Sequence, residues 1–218
     1  MTDKIQERMT KFYSGDDRNV TINAVQGHFA TSNSHINYYI DVTRLKVRAK
    51  EAENAAASLR SKLLHQVEDV DTIVCLDGTE VLGGFLAQEL EKGSFHMTNK
   101  HDTMYIITPE ENSIHQFMFR QNNRLAIEGK NVLILSATLT TGETMKRMME
   151  CVSYYGGRVS GVTSIFSTMK EINGHRIISL FTEEDLPGYA AYHPSKCPFC
   201  EKKIPIEAVV NGYGYSTL

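Results

Sequence analysis

Long apolar runs are missing from this sequence of 218 residues: none approaches the roughly 20 residues that a helix needs to cross a bilayer, so no membrane-spanning element is expected. The opening residues, Met1-Thr2-Asp3-Lys4-Ile5-Gln6-Glu7-Arg8, are charged from the outset and lack the uninterrupted apolar stretch of a secretory signal, which makes the cytoplasm the expected location. A basic excess is missing too. With 23 Lys and Arg against 26 Asp and Glu, the formal charge is −3, and no domain-wide positive field is available to neutralise a phosphate backbone. Nucleic acid is therefore not expected as a partner, and a small molecule is. Four cysteines, Cys75, Cys151, Cys197 and Cys200, are too few and too unevenly spread for a disulfide framework. No G-x-G-x-x-G opens the first helix of an α/β unit, which argues against a dinucleotide fold. Gly129-Lys130 precedes a strand rather than a helix, which argues against a triphosphate loop. Internal repeats and low-complexity tracts are also lacking, and five prolines with 41% hydrophobic residues indicate an ordinary globular chain.

Periodicity supplies the architecture. Ile5, Met9 and Phe12 at helical spacing predict a short amphipathic helix over residues 2–13. Residues 20–43 mix β-formers with polar residues and predict short strands around a turn, forming a hood above the core. Ala52, Ala55, Ala56, Leu59 and Leu63 share one face of a helix over residues 46–65. Buried strands are expected at 71–76 and 104–107, a helix after the loop at 77–80, and a β-arm at 116–120. The clearest unit is a strand at 131–135, a loop at 136–141 and a helix at 142–155 with Met145, Met148, Met149 and Val152 inward, closed by Gly156-Gly157. Strands at 159–166 and 176–181 complete the βαβ alternation of a mostly parallel sheet flanked by helices. One α/β core over 46–190 is expected, with a helix and hood at 1–45 and an appendage at 191–218.

In such a sheet, ligands bind beyond the C-terminal strand ends, where helix N-termini present unpaired N–H donors and partial positive charge. Thr138-Leu139-Thr140-Thr141-Gly142-Glu143-Thr144 falls there. Its hydroxyls can donate to phosphate oxygens, and Gly142 lets the backbone approach without a Cβ in the way. The competing reading is that Thr140 or Thr141 caps the helix. From the loop alone the two readings stand level.

The longer stretch from Val132 to Thr144 resembles the phosphoribosyl-pyrophosphate motif of type I phosphoribosyltransferases: four apolar residues, two acids, then a threonine-glycine loop. Gly27-His28-Phe29-Ala30-Thr31-Ser32 through Tyr38-Tyr39-Ile40-Asp41 is similar to the hood of orotate phosphoribosyltransferases, and the likeness spans roughly residues 20–185 in order. It implies a type I phosphoribosyltransferase fold, with Thr140, Thr141, Gly142, Glu143 and Thr144 around a ribose 5′-phosphate and Ser136 and Thr138 on the ribose side. It further implies a pyrophosphate loop at Asp77, Gly78, Thr79 and Glu80. The base would lie against Phe29, Tyr38 or Tyr39, of which at most one tyrosine lines the pocket, because neighbours on a strand face opposite ways. Mg²⁺, a homodimer, and a place in pyrimidine nucleotide metabolism come with the same resemblance.

Three departures from the family pattern bear on activity. Ser136 and Ala137 stand where the family has paired acids that hold the ribose hydroxyls and favour an oxocarbenium-like centre. Thr31 replaces a lysine and Asn33 a glycine at the hood turn. Residues 108–115 carry Glu110 and Glu111 and one histidine where the orotate enzymes have a basic mobile loop; Arg120 and Arg124 are candidate substitutes, or solvated surface residues. Two functions follow: phosphoribosyl transfer with relocated catalytic groups, or a non-catalytic nucleotide-binding regulator on the same scaffold.

Near the end, His193-Pro194-Ser195-Lys196-Cys197-Pro198-Phe199-Cys200 holds a Cys-x-x-Cys knuckle. Two thiolates at this spacing can share Zn²⁺ with His193 as third ligand, the fourth being water, Glu201 or a partner chain; a reduced structural turn is the alternative. The apolar and aromatic tail that follows is expected to pack on the body or on a second subunit.

Overall fold

The structure of the chain, a computed structural model, describes residues 4–67, 69–92, 95–114 and 116–218; His115 lies outside them. In chain order the first half contains α1 (Lys4–Glu7), β1 (Thr10–Tyr13), β2 (Thr21–Ala30), β3 (His35–Asp41), α2 (Thr43–Val47), α3 (Ala49–Leu63), β4 (Thr72–Cys75), α4 (Glu80–Glu91), β5 (Tyr105–Ile107), β6 (Glu110–Glu111) and β7 (Phe117–Met118). The second half contains β8 (Asn131–Leu139), α5 (Glu143–Tyr154), β9 (Arg158–Ser167), β10 (Glu171–Ile172), β11 (His175–Thr182), β12 (Ala191–Tyr192), α6 (Pro198–Glu201), β13 (Ala208–Asn211) and β14 (Gly214–Thr217).

The central sheet runs β10-β11-β9-β8-β4-β5, parallel from β11 to β5, with β10 as an antiparallel edge. Alternation along β8 explains its burial on both faces. Leu133, Leu135 and Ala137 join the cluster under α3 and α4, while Val132 and Ile134 join Met145, Met148, Met149 and Val152 of α5. Helices on both faces of a parallel sheet are the layered arrangement that the βαβ pattern implies. Each fully buried side chain of this size contributes about 1.5–3 kcal/mol, enough for the two faces to fix the register of β8.

A second sheet, β12-β3-β2-β13-β14 with β1 on β2, forms the hood. It joins both ends of the chain: β13 pairs in parallel with β2 through Ala208 and Phe29, and β12 with β3 through Ala191 and Ile36. The tail is thus partly buried against the body, with Ala208 and Val210 in the hood's own core and Leu218 exposed.

Three local expectations differ. The N-terminal helix stops at Glu7, because the β-forming run Thr10-Lys11-Phe12-Tyr13 finds antiparallel partners in 21–24 of β2. The strand before the phosphate loop does not end at 135 but continues to Leu139, since β9 stays beside it as far as Ser167. Finally, β5 is an edge strand with Ile106 exposed rather than a buried one.

Candidate functional site

A cavity of about 360 Å³ opens over the C-terminal ends of β4 and β8, lined by Asp77, Ser136, Thr138, Thr140 and the start of α5. Its roof is the hood: Thr31, Ser32 and Asn33 from the β2–β3 turn, Tyr39 from β3, and Asn211, Gly212 and Tyr213 from the β13–β14 turn. The sequence order strand, loop, helix therefore delivers the threonine loop to the edge where such sheets bind ligands.

Thr140, Thr141, Gly142, Glu143 and Thr144 all line this cavity. Gly142 is the N-cap of α5 at φ 77°, a left-handed conformation that favours glycine, and the helix start has no side-chain cap hydrogen bond. The capping reading of Thr140 and Thr141 thus has no counterpart in the geometry. The N–H groups of Glu143, Thr144 and Met145 precede the first helical bond, from Lys146 N–H to the Gly142 carbonyl at 2.9 Å, and so lack partners within the helix. The loop is held from behind: the Thr168 hydroxyl donates to the Thr140 carbonyl at 3.0 Å, and Thr168 N–H to the Leu139 carbonyl at 3.0 Å. Arg147, one turn along α5, also lines the cavity, 3.4 Å from the Thr144 hydroxyl and over the Phe117 ring.

Ser136 and Ala137 leave the end of β8 without acids, yet a carboxylate lies beside them. The Ser136 hydroxyl donates to Asp77 Oδ2 at 2.8 Å, and Ala137 N–H to the same oxygen at 3.3 Å. Asp77 sits at φ 57° in the turn after β4 and lines the cavity. Burial raises its pKa, against the pull of the two donors and of Lys46, and the Glu111 charge adds to the rise. Lys46 is itself buried; its ammonium donates to the carbonyls of Asp77 at 2.7 Å and Gly212 at 2.6 Å and faces the Tyr213 ring at 5.5 Å. One cation thus ties the turn after β4 to the tail that roofs the cavity. Its pKa is lowered by burial, in opposition to the Asp77 charge.

The rest of the expected pyrophosphate loop faces elsewhere. Gly78, Thr79 and Glu80 are not among the lining residues. The fully buried Thr79 hydroxyl turns back to the carbonyls of Leu76 at 2.8 Å and Leu135 at 3.3 Å, and Glu80 accepts from the Thr108 hydroxyl at 2.8 Å. The turn closes the β4–α4 junction, and that geometry spends these groups on the scaffold. On the base side, Tyr39 lines the cavity and is set edge-on to Tyr215 at 4.9 Å. Tyr38 points the other way, donating to the Pro187 carbonyl at 3.2 Å and accepting from Gln26, as strand alternation requires. Phe29 is fully buried in the hood core. Arg120 forms a bidentate pair with Glu110, and Arg124 packs over Tyr155; neither lines the cavity.

At the knuckle, the group of described residues able to hold a metal ion is His28, His35, Cys197 and Cys200. His193, the expected third ligand, lies outside it, because its Nδ1 sits 2.7 Å from the Ser195 hydroxyl in the turn that opens the knuckle. Cys75 and Cys151 are buried thiols whose pKa values burial pushes up to about 12 and about 11, which keeps them protonated and inert.

Lys46, Arg147 and the 211–213 turn are absent from the sequence-based site. Arg147 was legible in principle, being three residues beyond Thr144 on the same helix face. Lys46 carries no such signal, since only the fold reveals which carbonyls surround it.

Fold and site together define a parallel α/β domain whose cavity is built from a threonine-glycine helix start under a two-ended hood. No protein-family model matches the chain. It is 25% identical over 183 residues to the orotate phosphoribosyltransferase of Desulforamulus reducens, covering 83% of this chain and 86% of that one. Among solved structures, it resembles the UMP synthase of Leishmania donovani with a TM-score of 0.54 at 16% identity, covering 83% of this chain and 36% of the other. It also resembles the Mycobacterium tuberculosis orotate phosphoribosyltransferase in complex with 5-phospho-α-D-ribosyl 1-diphosphate, with a TM-score of 0.50 at 17% identity, covering 68% and 82%. The chain thus has the fold of the type I phosphoribosyltransferases and is similar in sequence, over most of its length, to orotate phosphoribosyltransferases.

Proposed function

We propose that the cavity binds the 5-phosphate of a phosphoribosyl ligand, either phosphoribosyl pyrophosphate or a nucleoside monophosphate, on Thr140, Thr141, Gly142, Glu143 and Thr144, and that the chemistry it serves is phosphoribosyl transfer to a nucleobase. The observation that carries this reading is the helix start itself: Gly142 in a left-handed conformation, no side-chain cap, and threonines lining a cavity instead of closing the helix. Phosphate oxygens would accept from the amides of α5's first turn and from the threonine hydroxyls, with Arg147 adjoining.

Asp77 takes the part of the absent paired acids. Its carboxylate, oriented by Ser136 and the Ala137 amide, faces the cavity where ribose hydroxyls would lie, and so accepts from them and sets negative charge near a developing oxocarbenium centre. Tyr39 offers its edge or face to the base. The Mg²⁺ that the family resemblance implies prefers oxygen donors, and Asp77 and Glu111 supply carboxylates to the same cavity. When bound, the ion would neutralise charge on a departing pyrophosphate.

A second reading, nucleotide binding without turnover, is favoured by the charges around the cavity. Its described lining carries Asp77, Glu111 and Glu143 but only Arg147 as a cation, a poor setting for a pyrophosphate and an adequate one for a single phosphate. One experiment separates the two. Purified chain is incubated with phosphoribosyl pyrophosphate, Mg²⁺ and each nucleobase, and pyrophosphate release is followed alongside calorimetric titration with ribose 5-phosphate. Binding with release supports transfer; binding without release against any base supports the second reading; and absence of binding removes both.

A further inference from the structure

The Cys-x-x-Cys knuckle supplies two thiols, and the fold supplies what the local sequence lacks. The β2–β3 hairpin brings His28 and His35 to the same spot, so that the ligand atoms of His28, His35, Cys197 and Cys200 all lie within 4.8 Å of one another. His28 Nε2 is 3.1 Å from His35 Nδ1, 3.5 Å from Cys197 Sγ and 3.7 Å from Cys200 Sγ, and Cys200 Sγ is 3.2 Å from His35 Nδ1. A tetrahedral ion with metal–nitrogen bonds of about 2.0–2.1 Å and metal–sulfur bonds of about 2.3 Å separates its ligand atoms by roughly 3.3–3.8 Å. Those four of the six edges fall on or within a few tenths of an ångström of that range, and the remaining two are no longer than 4.8 Å.

The surroundings favour the same arrangement. His28 Nδ1 lies 2.9 Å from the Ile204 carbonyl, which can only accept; the proton is therefore on Nδ1, and the Nε2 lone pair is directed at the thiols. Phe199, between the two cysteines, stacks on the His28 ring at 5.2 Å and shields that side. Cys197 and His28 are buried while Cys200 is exposed, so an ion has a route in from solvent.

We propose that His28, His35, Cys197 and Cys200 form a structural Zn²⁺ site that staples the C-terminal knuckle to the hood. Soft thiolates with imidazoles in tetrahedral array select zinc over the hard cations, and four protein ligands leave no open position for catalysis. The staple bears on the cavity. Just beyond His28 the hairpin turns through Thr31, Ser32 and Asn33, and on the other side Glu207 N–H bonds the His28 carbonyl at 2.8 Å where the chain enters β13, whose far end carries Gly212 and Tyr213. Both roof segments therefore depart from the proposed metal site.

The test is metal content by elemental analysis of the full-length chain, purified under reducing conditions from zinc-supplemented cells, with cobalt substitution as a second readout. About one zinc per chain is expected, and the cobalt form should show the visible d–d bands and thiolate charge transfer of tetrahedral S₂N₂ coordination. Cys200→Ser and His35→Gln should each weaken zinc binding more than about tenfold in competition with a chromophoric chelator, while His193→Ala should leave it unchanged. Zinc below roughly a tenth of the chain concentration, octahedral cobalt spectra, or loss of metal in His193→Ala with retention in His35→Gln would each overturn the site. Cobalt spectra of the unaltered chain keep the test valid should a variant fail to fold. None of these readouts involves a sugar phosphate, so the outcome is independent of the proposed function.

Discussion

Replacing Gly142 with alanine tests the conformation on which the phosphate loop depends, and Gly129→Ala supplies the control. Both glycines have strongly positive φ, 77° and 70°. A Cβ at Gly129 meets nothing within 4 Å, so that variant bears only the backbone strain of an L-residue in the left-handed region, about 1 kcal/mol. At Gly142 the added Cβ would come within 3.0 Å of both Met169 Sδ and Ile172 Cδ1. These are the ends of flexible side chains, so they give way by a few tenths of an ångström, and a further cost of about 1 kcal/mol is expected. For a chain of this length each kcal/mol lowers Tm by about 2–4 °C. Gly142→Ala should therefore melt about 4–8 °C below the parent and Gly129→Ala about 2–4 °C below, in parallel calorimetric scans at equal concentration. Only Gly142→Ala should also weaken ribose 5-phosphate binding, because relaxing its φ turns the first-turn amides away from the cavity. Equal melting of the two variants, within about 1 °C, would refute the packing argument, and a parent-like Gly142→Ala would refute the left-handed cap.

Asp77→Asn should raise stability at neutral pH. Burial lifts the Asp77 pKa, so between the ordinary aspartate range and the raised value the folded chain binds more proton than the unfolded chain, and stability falls as pH rises across that window; above it Asp77 is a carboxylate in both states and the cost of burying its charge is fully present. The advantage of the Asp77→Asn variant in urea titrations should therefore grow between acid and neutral pH and then level off. A variant that loses more stability at neutral than at acid pH would contradict the sign, and ribose 5-phosphate affinity should fall in either range. Lys46→Met leaves the carbonyls of Asp77 and Gly212 without their ammonium donor, and a loss of about 3 kcal/mol is expected from chemical unfolding; a loss under about 1 kcal/mol would show that the tie contributes little. Thr144→Ala should leave Tm within about 1 °C of the parent while weakening ribose 5-phosphate binding roughly tenfold, as removal of one hydroxyl donor to a charged group requires; unchanged affinity would exclude that hydroxyl from the site.

Much of this arrangement was legible before folding. Periodicity located the βαβ core because buried parallel strands such as 131–135 and helix faces such as Met145, Met148, Met149 and Val152 are local patterns. The threonine loop could be read for the same reason, as its residues are contiguous. What escaped was whatever depends on distant segments meeting. The end of β8 was set at 135 because polar residues from Ser136 onward read as loop, whereas pairing with β9 keeps them extended to Leu139. The carboxylate beside Ser136 comes from Asp77, 59 residues away, and hydrogen bonding across strands leaves no trace in spacing. The knuckle showed two thiols, but the histidines clustered with them come from 165 and 172 residues distant, so the adjacent His193 was the natural candidate on sequence grounds although it lies outside that cluster. Tyr38 and Tyr39 were separable in advance only because strand alternation is a local rule.

The most direct measurement is a titration of the isotope-labelled chain with ribose 5-phosphate and, in parallel, with ribose, followed by backbone amide chemical shifts. The account predicts saturable binding of the phosphorylated sugar, at least about tenfold tighter than ribose, with the largest changes at the amides of Thr140, Thr141, Gly142, Glu143 and Thr144. Equal affinity for the two sugars, or shifts concentrated away from the start of α5, would contradict it.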